Sequence, residues 1–409
     1  MEYFVSRNPI FKRDQNILGY YLTFQRDVEN ALFEISYLSS GKTNKSLSFA
    51  DVTSNKLSFI HFSADSITSL VPTVLDNETT VVIFTADQQP TQELLIALLN
   101  LHDMDFKLCL HNIIDESAWE SIYPIINFIS FDINDTTTDG LFKMVDCIGR
   151  YPNLKLIATN VNDLKTHETA IEMGFDYLAG NFFSQTEVLL SHAMSPAETT
   201  LAELLYQTSQ TGVNLIKIIE IIKRDVYLTY KILSYANTVF FKRRQQISTI
   251  KQAVVTLGLV ELKRFISILF TTQLSKNRSK ELVRLSLYRG KFCELITELK
   301  CQNKIKLEED CAEAFLVGLL SLIEPMFNES AENALQKLSL SSTITNAIIK
   351  DEGELALYLS LAKISEQGEW QTALEYAQQL NLDKKMLIKI NSTALLWANE
   401  QMQILNIDS

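Results

Sequence analysis

The spacing of hydrophobic and polar positions changes near residue 190. Before that point, short apolar runs recur at intervals: TTVVIF (Thr79–Phe84), FKLCL (Phe106–Leu110), NFISFDI (Asn127–Ile133) and LKLIAT (Leu154–Thr159). Each is four to seven residues long and rich in Val, Ile and Phe, which predicts strands buried on both faces. Helix-like segments lie between them, such as TQELLIALLNL (Thr91–Leu101) and DGLFKMVDCIGR (Asp139–Arg150). The second stops before Tyr151-Pro152, because a proline disfavours helical geometry in the residue ahead of it. Repeated strand–helix units with both sheet faces covered predict a parallel sheet, either open or closed into a barrel. The stretch is short for a full eight-fold barrel, which typically takes about 250 residues.

Beyond His192 the period becomes helical. In Ser195-Pro196-Ala197-Glu198 the serine can cap, the proline suits the first helical position, and the glutamate sits where a capping box places it. Apolar residues then recur at three and four: Leu201, Leu204, Leu205; Ile218, Ile221, Ile222; Ile250, Val254, Leu257. The fold class expected is α/β plus all-α, with an α/β domain over 1–192 and a helical domain over 195–409 (core 198–390). Residues 40–56, rich in Ser, Thr, Asn and Lys, read as a surface loop. The stripe Leu215–Ile222 reads as helix core, and Trp370 and Trp397 read as packing anchors.

Glycine (12) and proline (7) are scarce, in keeping with long regular elements. No positively charged start precedes an apolar stretch, and no run approaches the ~20 apolar residues of a membrane helix. Five cysteines (Cys109, Cys147, Cys293, Cys301, Cys311) form no CxxC pair, so thiols in a reducing cytoplasm are expected. The net charge of −12 argues against non-specific coating of nucleic acid. Between Phe241 and Lys291, however, twelve Lys/Arg face only two Glu. Lys242, Arg243, Arg244, Lys263 and Arg264 are candidate binding residues there, for an acidic protein surface before nucleic acid.

Several segments carry a resemblance. RNPIF (Arg7–Phe11) and ILGYYLTFQ (Ile17–Gln25) look like the start of the EAL domain in bacterial EAL–HDOD signalling proteins. IKRDVYLTYKILSYANT (Ile222–Thr238), ISTIKQAVVTLGLVELKRF (Ile247–Phe265) and AFLVGLLSLIEPMF (Ala314–Phe327) resemble segments of the HDOD domain, in the right order. The resemblance implies a short EAL-like (β/α) barrel-type domain followed by a helical HDOD domain.

An active EAL domain hydrolyses cyclic di-GMP with two divalent metals held by carboxylates at strand ends. Such hard cations need a dense set of anionic oxygens. In this chain the family's glutamate position is taken by Tyr21, its arginine by Gln25 and its strand asparagine by His61. The acidic residues after the next strand give way to Phe84 and Thr85, and the aspartate pair to His111 and Asn112. Ser130 replaces a lysine, Thr159 and Asn162 replace glutamates, and Ala179 replaces a glutamine, while Asp132 persists.

The expectation drawn from this is a degenerate EAL domain that is not an enzyme and holds no metal or cofactor. A zinc site of His61, His111 and Asp132 is a minor alternative. The helical half has no histidine after residue 192, so it lacks the ligands of HD-type phosphohydrolases. Asn237, in the family's asparagine position, reads as a helix cap or turn residue. The leading functional reading is a cytoplasmic, non-catalytic signalling scaffold that binds other signalling proteins. A cyclic di-GMP receptor without hydrolysis, and nucleic-acid or acidic-partner binding through residues 241–291, are the alternatives.

Overall fold

Alternating inward and outward apolar residues close the first half of the chain into a barrel. In the computed structural model the eight strands are β1 (Val5–Lys12), β2 (Ile17–Phe24), β3 (Leu57–His61), β4 (Thr80–Thr85), β5 (Lys107–His111), β6 (Phe128–Asp132), β7 (Lys155–Thr159) and β8 (Tyr177–Ala179). They pair in sequence order around a closed barrel. The structure describes residues 5–24, 32, 49–85, 90–112, 116–134, 151, 153–184, 194–209, 212–237, 247–276, 278–302, 308–338 and 340–405.

Strand β1 runs antiparallel to both β2 and β8, and every other pairing is parallel. The all-parallel sheet expected from the sequence is corrected at this one strand. The length objection to a barrel also disappears here, because a tight turn joins β1 to β2 where a full barrel spends a crossover helix. Ile10, Phe59, Val81, Ile83, Cys109, Phe128, Ile157 and Ala179 fill the interior. Their neighbours Ile60, Val82, Leu108 and Leu110 are equally buried on the outer face. This two-sided burial explains why the strands read as unbroken apolar runs. Helices α1 (Phe49–Thr53), α2 (Ala64–Thr68), α3 (Gln92–Asp103), α4 (Glu116–Trp119) and α5 (Leu164–Glu172) accompany the strands. The helix expected over 139–150 lies outside the described residues.

The second half is helical: α6 (Pro196–Ser209), α7 (Leu215–Lys223), α8 (Val226–Ala236), α9 (Ile250–Leu274), α10 (Lys280–Gln302), α11 (Glu308–Leu320), α12 (Ile323–Phe327), α13 (Ala331–Gln336), α14 (Ser342–Ile349), α15 (Glu354–Gln367), α16 (Trp370–Gln379) and α17 (Lys384–Ile404). The capping box at α6 forms: Glu198 Oε2 accepts the Ser195 N–H (2.7 Å), and Ser195 Oγ accepts the Glu198 N–H (3.3 Å). Helix α10 packs against α11 and α17. The chain divides into two compact units, residues 1–185 with 364–374, and residues 186–363 with 375–409. The short segment 364–374, at the end of α15 and the start of α16, therefore groups with the barrel and not with the helices on either side of it.

Candidate functional site

The C-terminal ends of parallel barrel strands present side chains at one mouth. Seven of the twelve positions singled out in the sequence line a single cavity of about 720 Å³ there: Tyr21, His61, His111, Asp132, Thr159, Asn162 and Ala179. Asn112 follows β5 and acts behind the lining, its Oδ1 accepting the Asp132 N–H at 3.0 Å. Segment 364–374 of the same unit adds Gln367 and Glu369.

Asp132, the last residue of β6, spends both carboxylate oxygens locally. Oδ1 accepts the Asn134 N–H at 2.9 Å, and Oδ2 accepts from the Asn160 amide. Thr159 donates to the Phe131 carbonyl at 3.0 Å, and Asn162 Oδ1 accepts the Asn181 N–H at 3.1 Å. Gly180 is required beside it, since a Cβ there would stand 2.1 Å from the Val161 carbonyl oxygen.

On the other side of the mouth, His111 Nδ1 lies 2.8 Å from the buried Ser130 hydroxyl, which also accepts from Cys109 Sγ at 3.6 Å. Burial pushes the Cys109 thiol up to about 12. Tyr21 packs on Phe59, with ring centroids 5.5 Å apart, and burial raises its phenol well above the ordinary range.

Among the described residues the lining has two carboxylates, Asp132 and Glu369, and no Lys or Arg. This donor set does not fit the pair of hard divalent cations that the resemblance implies. Among the described residues, no three His, Cys, Asp or Glu side chains gather as a metal-holding group, so His61, His111 and Asp132 do not assemble a zinc site.

The basic stretch resolves differently from its sequence. Arg264 is clasped by Glu261 and Glu294. Burial works against its charge, but Glu294 and then Glu261 hold the guanidinium above its ordinary range. Arg284 donates from Nε to Glu281 (3.0 Å) and from Nη1 to Asn399 (2.8 Å), and Lys291 pairs with Glu294 (2.7 Å). Much of the apparent basic patch is thus internal to the helical unit. Lys263 is half-buried beside Arg264. Lys242, Arg243 and Arg244 lie outside the described residues. Asn237 is the C-cap of α8 and bridges onward, donating to the Leu233 and Ile247 carbonyls and accepting the Ile247 N–H, each at 2.8 Å.

The functional residues missed in the sequence are Asn160, Gly180, Asn181 and Glu369. Asn160 was detectable in principle, since asparagine tolerates the left-handed backbone (φ 59°) that a sharp turn after β7 demands.

Comparison with known proteins finds likenesses in both halves. Residues 194–367 match the HDOD domain, and the chain carries an HDOD domain there. Cyclic di-GMP phosphodiesterase CdgJ of Vibrio cholerae is 27% identical over 392 residues, covering 93% of this chain and 88% of its own. Bacillus subtilis YuxH, an uncharacterized protein, is 27% identical over 425 residues, covering 98% and 99%. Among solved structures, an EAL domain protein from Listeria monocytogenes (13% identity, TM-score 0.34) covers 45% of this chain and 88% of its own. The EAL domain of Mycobacterium smegmatis DcpA (12%, TM-score 0.33) covers 44% and 90%. The chain is thus a closed barrel followed by an HDOD domain, and it is similar along nearly its whole length to a protein named as a cyclic di-GMP phosphodiesterase.

The expectation that the chain is not an enzyme is corrected by the Vibrio relative, which spans nearly all of both proteins and is named a phosphodiesterase. No helix among the described residues is long and apolar enough to cross a membrane.

Proposed function

We propose that the chain is a cytoplasmic signalling protein that works in cyclic di-GMP pathways and passes its signal on by engaging partner proteins. The observation that carries this reading is the extent of the Vibrio match, which runs through barrel and helices together. Cross-linking of the intact chain in cells tests it. A protein that makes, degrades or senses cyclic di-GMP is expected among the captured partners, and a set without one overturns the reading.

A second reading, favoured by the mouth geometry, places a cyclic dinucleotide in the cavity itself. The lining offers amide, imidazole and hydroxyl groups from five strands and the loops after them. Its described residues offer no cation to a dianionic ligand, so neutral hydrogen bonds and aromatic surface would hold it. Calorimetric titration with cyclic di-GMP, with and without Mn²⁺, tests this. Saturable heat that Asn162→Ala weakens supports it, and no heat rejects it. Following the linear product in the same samples reports turnover.

A further inference from the structure

The polar groups around the barrel mouth fall into two sides. On the β6–β7 side they are spent on one another: Asp132 on Asn134 and Asn160, and Thr159 on the Phe131 carbonyl. On the β8–β1–β2 side they are not. Asn8 on β1, Asn181 just after β8, and Gln367 and Glu369 on the turn between α15 and α16 all line the cavity. Among the described residues, none of these four side chains has a hydrogen bond or ion pair within the protein. Such a wall is the part of a cavity left to a ligand, because a group already paired must lose its partner before it can bind.

The turn is held in place by packing. Segment 364–374 belongs to the same compact unit as the barrel. Trp370, 6% exposed, anchors it. At its tip Gly368 takes φ +78°, and a Cβ there would stand 2.6 Å from Ser6 Oγ on β1. A larger residue at 368 therefore lifts the turn from the strand. Gln367 and Glu369 flank this glycine, and both are exposed.

A carboxylate in the lining decides how a dianionic ligand can lie. Glu369 repels phosphate, and its two oxygens only accept hydrogen bonds. It suits an edge of the ligand that carries two adjacent N–H donors. Guanine has such an edge, formed by N1–H and the N2 amino group. Adenine sets a single amino donor beside the N1 acceptor, whose lone pair would face the carboxylate. The amides of Asn8, Asn181 and Gln367 both donate and accept, so they can meet the remaining polar atoms of the base.

We propose that the β8–β1–β2 side of the mouth reads a guanine base, and that Glu369 is the residue that selects it over adenine. This rests on the cavity-binding reading above and names the part of the ligand that the cavity recognises.

Calorimetric titration of the intact chain with cyclic di-GMP and with cyclic di-AMP tests it, with the ratio of the two affinities as the readout. Both probes carry the same phosphates, so a change of charge at the mouth acts on both alike and leaves the ratio alone. In the native chain cyclic di-GMP is expected to bind roughly tenfold more tightly or better, as a matched pair of hydrogen bonds provides. Glu369→Gln exchanges one acceptor for a donor, which matches adenine, and should abolish or reverse the preference. Gly368→Val keeps the carboxylate but displaces the turn, and should also lower the ratio. An unchanged melting temperature verifies that each variant folds, and Glu369→Gln, an exposed and nearly isosteric change, decides the matter if Gly368→Val does not. Equal native affinities, or a ratio that Glu369→Gln leaves unchanged, overturn the proposal while the cavity reading stands. No heat with either probe removes the cavity reading and this proposal together.

Discussion

Single residues show where charge counting along a sequence fails. Arg284 belongs to what reads as a basic surface, yet it is 1% exposed and is held by Glu281 one turn away and by Asn399 from α17. The i,i+3 partner was visible in the sequence, whereas Asn399, 115 positions away, was not. Removing one member of such a buried pair strands the other's charge away from water. Arg284→Ala is therefore expected to cost about 3–5 kcal/mol, read from the urea midpoint of the intact chain. Cys109 makes a contrasting case. Its thiol is fully buried and pushed up to about 12, against an ordinary value of 9.0. At pH 8 the native thiol is protonated and enclosed, while an unfolded one begins to ionise as pH nears 9. Iodoacetamide at pH 8 should therefore leave Cys109 unmodified in the native protein and alkylate it in urea, as peptide mass mapping would show.

At the scale of elements, the start of α6 could be read completely, and the interior of α9 could not. Ser, Pro and Glu at 195, 196 and 198 specify a capping box by local chemistry alone, and the two reciprocal hydrogen bonds are present. Ser195→Ala should lower stability by about 1 kcal/mol in thermal unfolding. In α9 the apolar period Ile250, Val254, Leu257 runs straight into Gly258, which leaves helical geometry at φ 73° and ψ 173°. Glycine within a helical pattern is tolerated at a cost of about 1 kcal/mol and need not break it, so periodicity could not reveal the kink. The conformation is one that an L side chain resists, and nothing lies within 4 Å of the missing Cβ. Gly258→Ala should thus destabilise by about 1 kcal/mol through backbone strain and not through a clash, with the midpoint of thermal unfolding as the measure. The strands divide the same way. Four were readable as apolar runs, whereas β8 is three residues long and β1 breaks its register between Ile10 and Phe11. A short strand and a bulge both fall below the length at which alternation becomes a signal.

Across the whole molecule, the candidate site is assembled from residues spread over more than 350 positions, from Asn8 to Glu369. Spacing along the chain carries no trace of that convergence. It became legible only because a family resemblance placed each position at a strand end, and the closed barrel brings those ends to one mouth. What the sequence could not supply was the support around them: the Asn112, Asn134 and Asn160 contacts that hold Asp132. Those contacts make a further prediction. The mouth is tied together by backbone amides: those of 132 and 181 donate to the Asn112 and Asn162 side chains of neighbouring loops, and that of 134 donates back to the Asp132 carboxylate. A ligand bound over them would raise the free energy needed to open these hydrogen bonds by about 2.7 kcal/mol at one hundred times its dissociation constant. Amide exchange at Asp132, Asn134 and Asn181 should then slow by roughly a hundredfold in saturating cyclic di-GMP, provided these amides exchange by openings that release the ligand. The amides of α7 and α8, in the other compact unit, should keep their rates, and slowing spread evenly over both units would mean that the nucleotide does not bind at the mouth.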